Sequence, residues 1–537
     1  MKSVYFTPEH DTFRDTVRRF LEAEVAPHAD AWEAARRIPR EIFPRMGELG
    51  LLGITFPAAY GGAEGDLFFA LAFLEELPRS RMGGFCAAVS VQQFMATQHV
   101  FRWGSEELKR RYLVPSIQGR LVGALAVTEP DTGSDVAALR TRATRDGDHF
   151  LVSGAKTFIT NGAEGDFLTV AVRTGQEAGV GGISLLVVDS DTPGLRVARR
   201  LDKLGWHSSD TAELVFEDVR VPASSLIGEE NMGFYYLMEA FQLERLAGAA
   251  IAVGSAELCL QVTLGQLKER RVFGQPLMRY QALTHRLADL AAELEAARQL
   301  AYQAAWLLEN GESATRECSM AKLLATELSK RVADECLQCF GGYGFMEEYP
   351  LARFFRDARA GTIVAGTSEI MREIIARIML EGGDPAPVAR RTVAVTAVAP
   401  APEPAPSPPP AGAPIPATAE GLIASLPGRM RPDRAEGWTT CLHFRLRGAD
   451  EPEWTVRVAD GQCRVAKGHE GNPSCVVEMK ADTYVGIETG AVNPQVAFMM
   501  GKVKVSNIAE LMRFVKAFRP AGGGDGSPGE QPGKPAR

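Results

Sequence analysis

Three things are scarce in this 537-residue chain, and each scarcity excludes a class of protein. Charge of one sign is scarce: 59 Lys and Arg stand against 67 Asp and Glu, interspersed, for a net charge of -8. A nucleic-acid-binding surface needs a basic patch or stripe, so nucleic acid is not expected as a partner. Paired cysteines are scarce. Of eight cysteines only Cys336 and Cys339 form a C-x-x-C, and with no second pair nearby a zinc site is not expected. Their helical, apolar setting makes them core thiols, and a reducing cytoplasm fits. Long apolar runs are missing too: no uninterrupted stretch reaches the length of a membrane span, so the chain is not expected to be transmembrane. The N-terminus, Met1-Lys2-Ser3-Val4-Tyr5-Phe6, shows neither an apolar stretch nor a cleavage site, which argues against secretion.

What is present reads as an ordinary globular composition spread over several domain-sized units. Residues 1–120 predict helices, with helical spacing from Thr12 to Trp32 and a capping-box pattern at Ser105-Glu106-Glu107. From 121 to 225 the pattern changes to short β-rich runs such as Leu168–Val172 and Ile183–Val188, which predict a small barrel or sandwich. Residues 226–383 return to long Ala/Leu/Glu-rich helices, for example Thr284–Leu308, and predict a bundle. The Pro/Ala-rich segment 384–417 predicts a semi-extended linker. Residues 418–518 form a further compact region, and the Gly/Pro-rich tail 519–537 predicts disorder. No internal repeat is evident.

Four short segments carry chemistry. The first runs Ala126-Val127-Thr128-Glu129-Pro130-Asp131-Thr132-Gly133-Ser134-Asp135, and the second is Phe158-Ile159-Thr160-Asn161. The third is Arg270-Arg271-Val272-Phe273-Gly274-Gln275. The fourth runs from Gln338 through Gly341-Gly342-Tyr343-Gly344-Phe345 to Arg353 and Asp357. Taken singly, each reads as a turn, a helix stop or a solvated charge. In this order, over about the first 380 residues, they resemble the acyl-CoA dehydrogenases. The resemblance implies a multidomain fold of an N-terminal α-helical domain, a middle β-barrel and a C-terminal four-helix bundle. It also implies FAD as cofactor, an acyl-CoA substrate, an electron-transfer flavoprotein as electron acceptor, and a homotetramer.

The same resemblance assigns residues. Val127, Thr128 and Thr160 would meet the flavin edge, Gly133 and Ser134 its phosphates, and Phe158 its ring face, where many relatives have Trp. Arg270, Phe273 and Gln281 would reach the pyrophosphate of a flavin held mainly by a neighbouring subunit. Gln338, Gly341, Gly342, Thr367 and Glu369 would complete the cofactor contacts. Ser134, Arg245, Ala365 and Gly366 are assigned to the substrate.

One replacement stands out. Many members carry a catalytic Glu directly before a Gly-Thr pair, whereas this chain has Ala365 ahead of Gly366-Thr367. Removing an α-proton from a thioester needs a carboxylate at the α-carbon. Leu243-Glu244-Arg245-Leu246 supplies it by resemblance to isovaleryl-CoA and long-chain acyl-CoA dehydrogenases, whose base comes from this helix. Without the resemblance, Glu244-Arg245 would read as a helix-surface charge pair. The apolar run Leu246–Val253 instead predicts burial. His207, where many relatives have Arg, reads as a solvated loop histidine.

Residues 418–518 resemble the sterol carrier protein 2-like domains, an α+β family with an apolar tunnel for lipids. The segment Val476–Lys480, then Ala481-Asp482-Thr483-Tyr484, then Ala497–Val505 carries that likeness, and a lipid ligand is implied. Met499, Met500 and Phe514 would line a tunnel or simply fill a core. Two other readings stay open: a flavin-dependent oxidase or monooxygenase on the same fold, and a lipid carrier with a vestigial flavoprotein.

Overall fold

Capping and apolar spacing start the first domain. Thr7 caps α1 (Pro8–Phe20), with the His10 ring accepting the Thr7 N–H at 3.0 Å. Phe13, Val17 and Phe20 then fall on one buried face. Asp66 caps α2 (Leu67–Glu76) by accepting the Phe68 and Phe69 N–H groups, and almost every residue of α2 is buried. Ser105 accepts the Leu108 N–H at 3.2 Å, as the capping pattern predicts. The structure is a computed structural model that describes residues 3–175, 179–381, 418–431, 438–449, 452–459, 462–492 and 502–506, plus 497, 510, 514, 517–519 and 521. The Pro/Ala-rich linker, Met499, Met500 and nearly all of the C-terminal tail lie outside these residues. Contacts divide the chain into two units, 1–388 and 389–537.

In the middle of the first unit, eight strands form one sheet. They are β1 (Gly123–Ala126), β2 (Arg142–Asp146), β3 (His149–Thr160), β4 (Phe167–Arg173), β5 (Ile183–Asp189), β6 (Leu195–Arg200), β7 (Thr211–Pro222) and β8 (Leu226–Ile227). The order is β6-β7-β3-β2-β4-β5-β8, with β1 parallel to β4. β2 and β4 share only the Arg142–Arg173 pair. There the sheet bends, so that Phe150, Val152, Val170, Leu186, Leu214 and Phe216 bury against one another. Among the described residues no bridge joins β6 to β8, so the barrel-like wrap keeps an open seam. The β3–β7 register shifts between Lys156 and Ile159, and Phe158 at that bulge has φ 60° and is 68% exposed.

Five helices follow: α3 (Gly233–Glu269), α4 (Gln281–Glu309), α5 (Thr315–Phe340), α6 (Pro350–Gly361) and α7 (Ser368–Glu381). A two-strand hairpin, β9 (Arg271–Val272) and β10 (Gln275–Pro276), separates α3 from α4. α5 packs against α3, α4, α6 and α7 and is the centre of this bundle. α3 seats on α2 because Gly254 has no Cβ; one built there would lie 2.1 Å from the Glu75 carbonyl oxygen. Among the described residues, α3 alone is long and apolar enough to cross a membrane, and 61% of that apolar window is buried inside the unit. The sequence expectation concerned uninterrupted apolar runs, and this window is interrupted rather than uniformly apolar. Its burial is that of a core helix.

The second unit has its own core. Its sheet runs β13-β12-β11-β14-β15, from β11 (Thr440–Arg447), β12 (Glu453–Ala459), β13 (Gln462–Lys467), β14 (Cys475–Lys480) and β15 (Val503–Val505). Among the described residues of this sheet, β11–β14 is the one parallel pair. Helices α8 (Ala419–Ala424) and α9 (Ala481–Glu488) supply Leu422, Ile423 and Tyr484 to a core shared with Trp438, Phe444 and Trp454. Phe514 is part of it, its ring 4.5 Å from Phe518 and 5.5 Å from Phe444. This arrangement makes Phe514 a core residue.

Candidate active site

The second turn-pair of α3 buries two charges side by side. Glu244 is 4% exposed and Arg245 6%. Neither Glu244 Oε1 nor Arg245 Nε has a hydrogen-bond partner. Burial pushes the Glu244 carboxyl up to about 8, against the pull of Arg245, and burial likewise lowers the Arg245 guanidinium. The Arg245 guanidinium lies 5.8 Å from the centre of the Phe241 ring. A buried carboxyl that lacks a partner costs stability and needs another explanation. The surface-pair reading of Glu244-Arg245 is excluded.

The loop from Thr362 to Thr367 lies between α6 and α7. Ala365 and Gly366 both have left-handed backbones, with φ 53° and 89°. The Gly366 carbonyl accepts from Lys322 Nζ on α5 at 2.5 Å. Lys322 is 1% exposed. Burial, followed by repulsion from Arg245, lowers its ammonium to about 8. Lys322 thus links the Ala365 loop to the Glu244-Arg245 turn. Sequence reasoning missed it, although Cys318, Lys322, Ala325 and Ser329 follow one buried helical stripe.

The residues assigned to the cofactor fall in two groups. In the first, Thr128 at the end of β1 accepts the Thr157 N–H at 2.9 Å, which sets it beside the Phe158–Thr160 end of β3. Gly133 lies beside the Thr128 methyl, Ser134 is exposed, and Val127 is partly buried. Lys156 locks this corner: its Nζ reaches Val127 O at 3.0 Å and Glu129 Oε1 at 2.8 Å. In the second group, Arg270, Gln338, Gly341 and Gly342 line one cleft of about 550 Å³ with Leu283 and Tyr343. The Arg270 guanidinium stands 5.7 Å from the Tyr343 ring centre. Phe273, at the hairpin tip, is 97% exposed with φ 47°. Gln281 begins α4 and is exposed near this cleft without lining it. Thr367 caps α7, its hydroxyl accepting the Ile370 N–H at 3.3 Å, and Glu369 is exposed beside it.

Two further positions differ from expectation or went unread. His207 is half-buried rather than solvated, its Nε2 3.0 Å from the Lys203 carbonyl, because the loop folds back on Glu33. Asp357 is buried and accepts the Gly83 and Trp206 N–H groups at 2.9 and 2.7 Å. Burial, and then Glu33, push Asp357 up to about 6. It pins the loop carrying His207 to the bundle. Cys336 and Cys339 are free, buried thiols on α5, and no metal-binding cluster occurs among the described residues.

Family models match four stretches of the chain. They are the acyl-CoA dehydrogenase N-terminal domain over residues 7–120, the middle domain over 124–219 and the C-terminal domain over 231–380. The SCP-2 sterol transfer family matches 423–519. The mitochondrial long-chain specific acyl-CoA dehydrogenase of Sus scrofa is 41% identical over 374 residues, covering 69% of this chain and 86% of its own. The chain belongs to the acyl-CoA dehydrogenases. A probable acyl-CoA dehydrogenase from Mycobacterium abscessus has a similar structure, with a TM-score of 0.68 and 44% identity over 70% of this chain and all of its own. A glutaryl-CoA dehydrogenase from Mycobacterium smegmatis, solved with FADH2, gives 0.67 and 30%, over 71% and 96%. This acyl-CoA dehydrogenase is therefore an oxidoreductase of a flavoprotein family, joined to an SCP-2 domain.

The residues present fit a flavin. Phe158 offers an exposed aromatic face on a bulge, and Thr128 and Thr160 stand beside it. A Cβ built on Gly341 or Gly342 would meet nothing within 4 Å, so both leave open space at the Arg270 cleft. The cleft joins an arginine and an amide side chain, donors suited to phosphate oxygens.

Proposed function

We propose that this protein carries out α,β-dehydrogenation of a fatty or branched-chain acyl-CoA thioester to the 2-enoyl-CoA, with FAD bound. The observation that carries the reading is Glu244: a fully enclosed carboxyl with an unpartnered oxygen, raised to about 8. A base in that state is held close to working pH and is not committed to any structural hydrogen bond. Glu244 takes the α-proton. The Ala365 N–H, with Ser134 and Gly366 nearby in the assignment, binds the thioester carbonyl and holds its oxygen as charge develops there. Arg245 keeps the surroundings of Glu244 from becoming wholly apolar, so that its ionised form remains within reach. FAD, when bound, supplies the hydride acceptor for the β-carbon.

Thr128, Thr160, Phe158, Gly133 and Ser134 would hold the flavin edge, ring and phosphates, with Val127 lining that corner. Arg270, Phe273, Gln281, Gln338, Gly341, Gly342, Thr367 and Glu369 would contact a cofactor held mainly by a second copy of the chain. The lining of the Arg270 cleft, which includes none of Thr128, Phe158 and Thr160, supports this, as do the bare apolar side chains Phe273, Phe345 and Leu380, which are 97%, 78% and 86% exposed. Assembly would be a homotetramer, electrons would pass to an electron-transfer flavoprotein, and the SCP-2 domain would take an apolar lipid. The test is an anaerobic titration of the yellow protein with acyl-CoAs of graded length and branching. Bleaching by at least one straight- or branched-chain thioester is expected. A flavin that no acyl-CoA bleaches would overturn the reading.

A further inference from the structure

We propose that Lys322 is a positioning residue of the dehydrogenation site. Its ammonium group clamps the Gly366 carbonyl and thereby holds the Ala365 N–H toward the acyl carbonyl. The inference rests on the reaction proposed above and adds a residue to it.

The loop itself raises the question. Ala365 and Gly366 are two consecutive left-handed residues, a conformation in which the Cβ of Ala365 crowds its own backbone. Such backbones persist where surrounding contacts over-determine them. Part of the restraint comes from chain-end bonds: Val364 N–H to Ala360 O at 3.1 Å, Ser368 N–H to Thr362 O at 3.0 Å, and Met371 N–H to Thr367 O at 2.9 Å. None of these fixes the peptide between Gly366 and Thr367. Lys322 does, from a different helix, through a 2.5 Å charge-assisted bond. Among the described residues, the Ala365 N–H finds no acceptor in the protein, so it remains available to a ligand.

A lysine on the buried stripe of α5 is a costly way to tie down one carbonyl. A neutral donor would satisfy the same oxygen without burying a charge. What the charge adds is direction and stiffness: a strong bond to one peptide of a loop whose neighbouring N–H must meet a developing enolate oxygen. Its surroundings allow it to stay charged only narrowly. Arg245 on α3 repels it, while Glu327 on its own helix and Glu369 on α7 offset part of that repulsion and the cost of burial. Lys322 therefore stands at the junction of the base-bearing turn and the carbonyl-binding loop.

The experiment separates enolisation from oxidation. A 3-thiaacyl-CoA, of a chain length the parent turns over, can lose its α-proton but offers no β-carbon from which hydride could leave. The flavin-loaded, full-length protein is incubated with it in D2O, and α-deuterium uptake is followed by mass spectrometry. Lys322→Met should keep flavin content and analogue affinity within about twofold and lower the exchange rate at least tenfold. With true substrate, the loss should fall on kcat rather than KM. Lys322→Arg should recover part of the rate. Exchange within twofold of the parent in Lys322→Met would overturn the proposal. If the Met variant loses its flavin, Lys322→Gln decides on the same thresholds. Glu244→Gln is the control for the underlying reading. If it still exchanges, the base assignment is wrong; if it is silent while Lys322→Met exchanges normally, only the role of Lys322 fails.

Discussion

Two buried charge pairs in the same unit have opposite characters. Lys156 and Glu129 are 0% and 6% exposed, and their hydrogen-bonding needs are met: Nζ to Glu129 and Val127 O, and the carboxylate also to the Arg140 and Thr141 N–H groups at 2.6 and 2.9 Å. Burial alone would raise the Glu129 carboxyl, but Lys156 and these donors bring it below its usual value. Glu244 and Arg245 are as deeply buried and have unpartnered atoms. Burial raises Glu244 to about 8. The first pair is a rivet between β1 and β3. The second is held unsatisfied, which is tolerable only where a substrate brings what is missing. Burial does not distinguish them; completeness of hydrogen bonding does.

The sharpest break of this comparison is Glu244→Gln. The amide keeps the shape and removes the base, so the rate of flavin bleaching by acyl-CoA should fall by about 10³-fold or more, with flavin retained. Stopped-flow absorbance checks it, and a parent-like rate would reverse the roles assigned to the two pairs.

Next in size is stability. Removing one partner of the satisfied pair, in Glu129→Ala, strands the Lys156 charge and should cost about 3–5 kcal/mol. Glu244→Gln should do the reverse. The folded-state pKa of Glu244 lies above the 4.5 of the unfolded chain. Between 4.5 and about 8 the folded state therefore binds a proton that the unfolded state does not, and the parent loses stability as pH rises through that window. The glutamine variant lacks this loss, so its advantage in urea midpoint should widen from pH 5.5 to pH 8.5. Equal differences at both pH values would show that Glu244 is not held protonated.

A smaller effect sharpens the role of Arg245. The proposed reaction needs Glu244 ionised, so kcat/KM should have an ascending limb that rises with pH toward about 8. Arg245 opposes the effect of burial. Arg245→Met should therefore move the ascending limb to higher pH by roughly half a unit to one unit. A limb that stays in place would mean that Arg245 acts elsewhere.

The sequence made some of this legible and hid the rest for identifiable reasons. Strand and helix order followed from period and turn residues, and Ser105, β4, β5 and α4 lie where those signals put them. The burial of Glu244 was legible because Leu246–Val253 is apolar, whereas its proposed role as the base came only through the resemblance. Lys322 was not, since a lysine on a helix is read as solvated until its stripe is traced. His207 and Asp357 depend on a loop closing across three elements, information that no local spacing holds. The Arg270 cleft gathers residues from four segments and was accessible only as a resemblance.

The smallest expected effect concerns the second unit. It has a core of its own, from Leu422 to Phe518, and matches a sterol transfer family, so it should fold without the dehydrogenase and bind an apolar chain. The 34 residues from 384 to 417 bound its distance from the first unit. At no more than about 3.3 Å each they reach at most roughly 110 Å, and one ligand confined to a sphere of that radius is present at no less than about 0.3 mM. Cutting the chain after Asp384 should therefore raise the apparent KM for long acyl-CoAs several-fold when they are supplied at micromolar concentration. kcat should stay the same, because the Glu244 turn, the Ala365 loop and both groups of residues assigned to the cofactor belong to the first unit. Short acyl-CoAs gain little from an apolar site and should show no change. Steady-state kinetics on matched long and short substrates make the test. Identical behaviour of the cut and full chains toward both would remove substrate delivery from the functions of the SCP-2 domain.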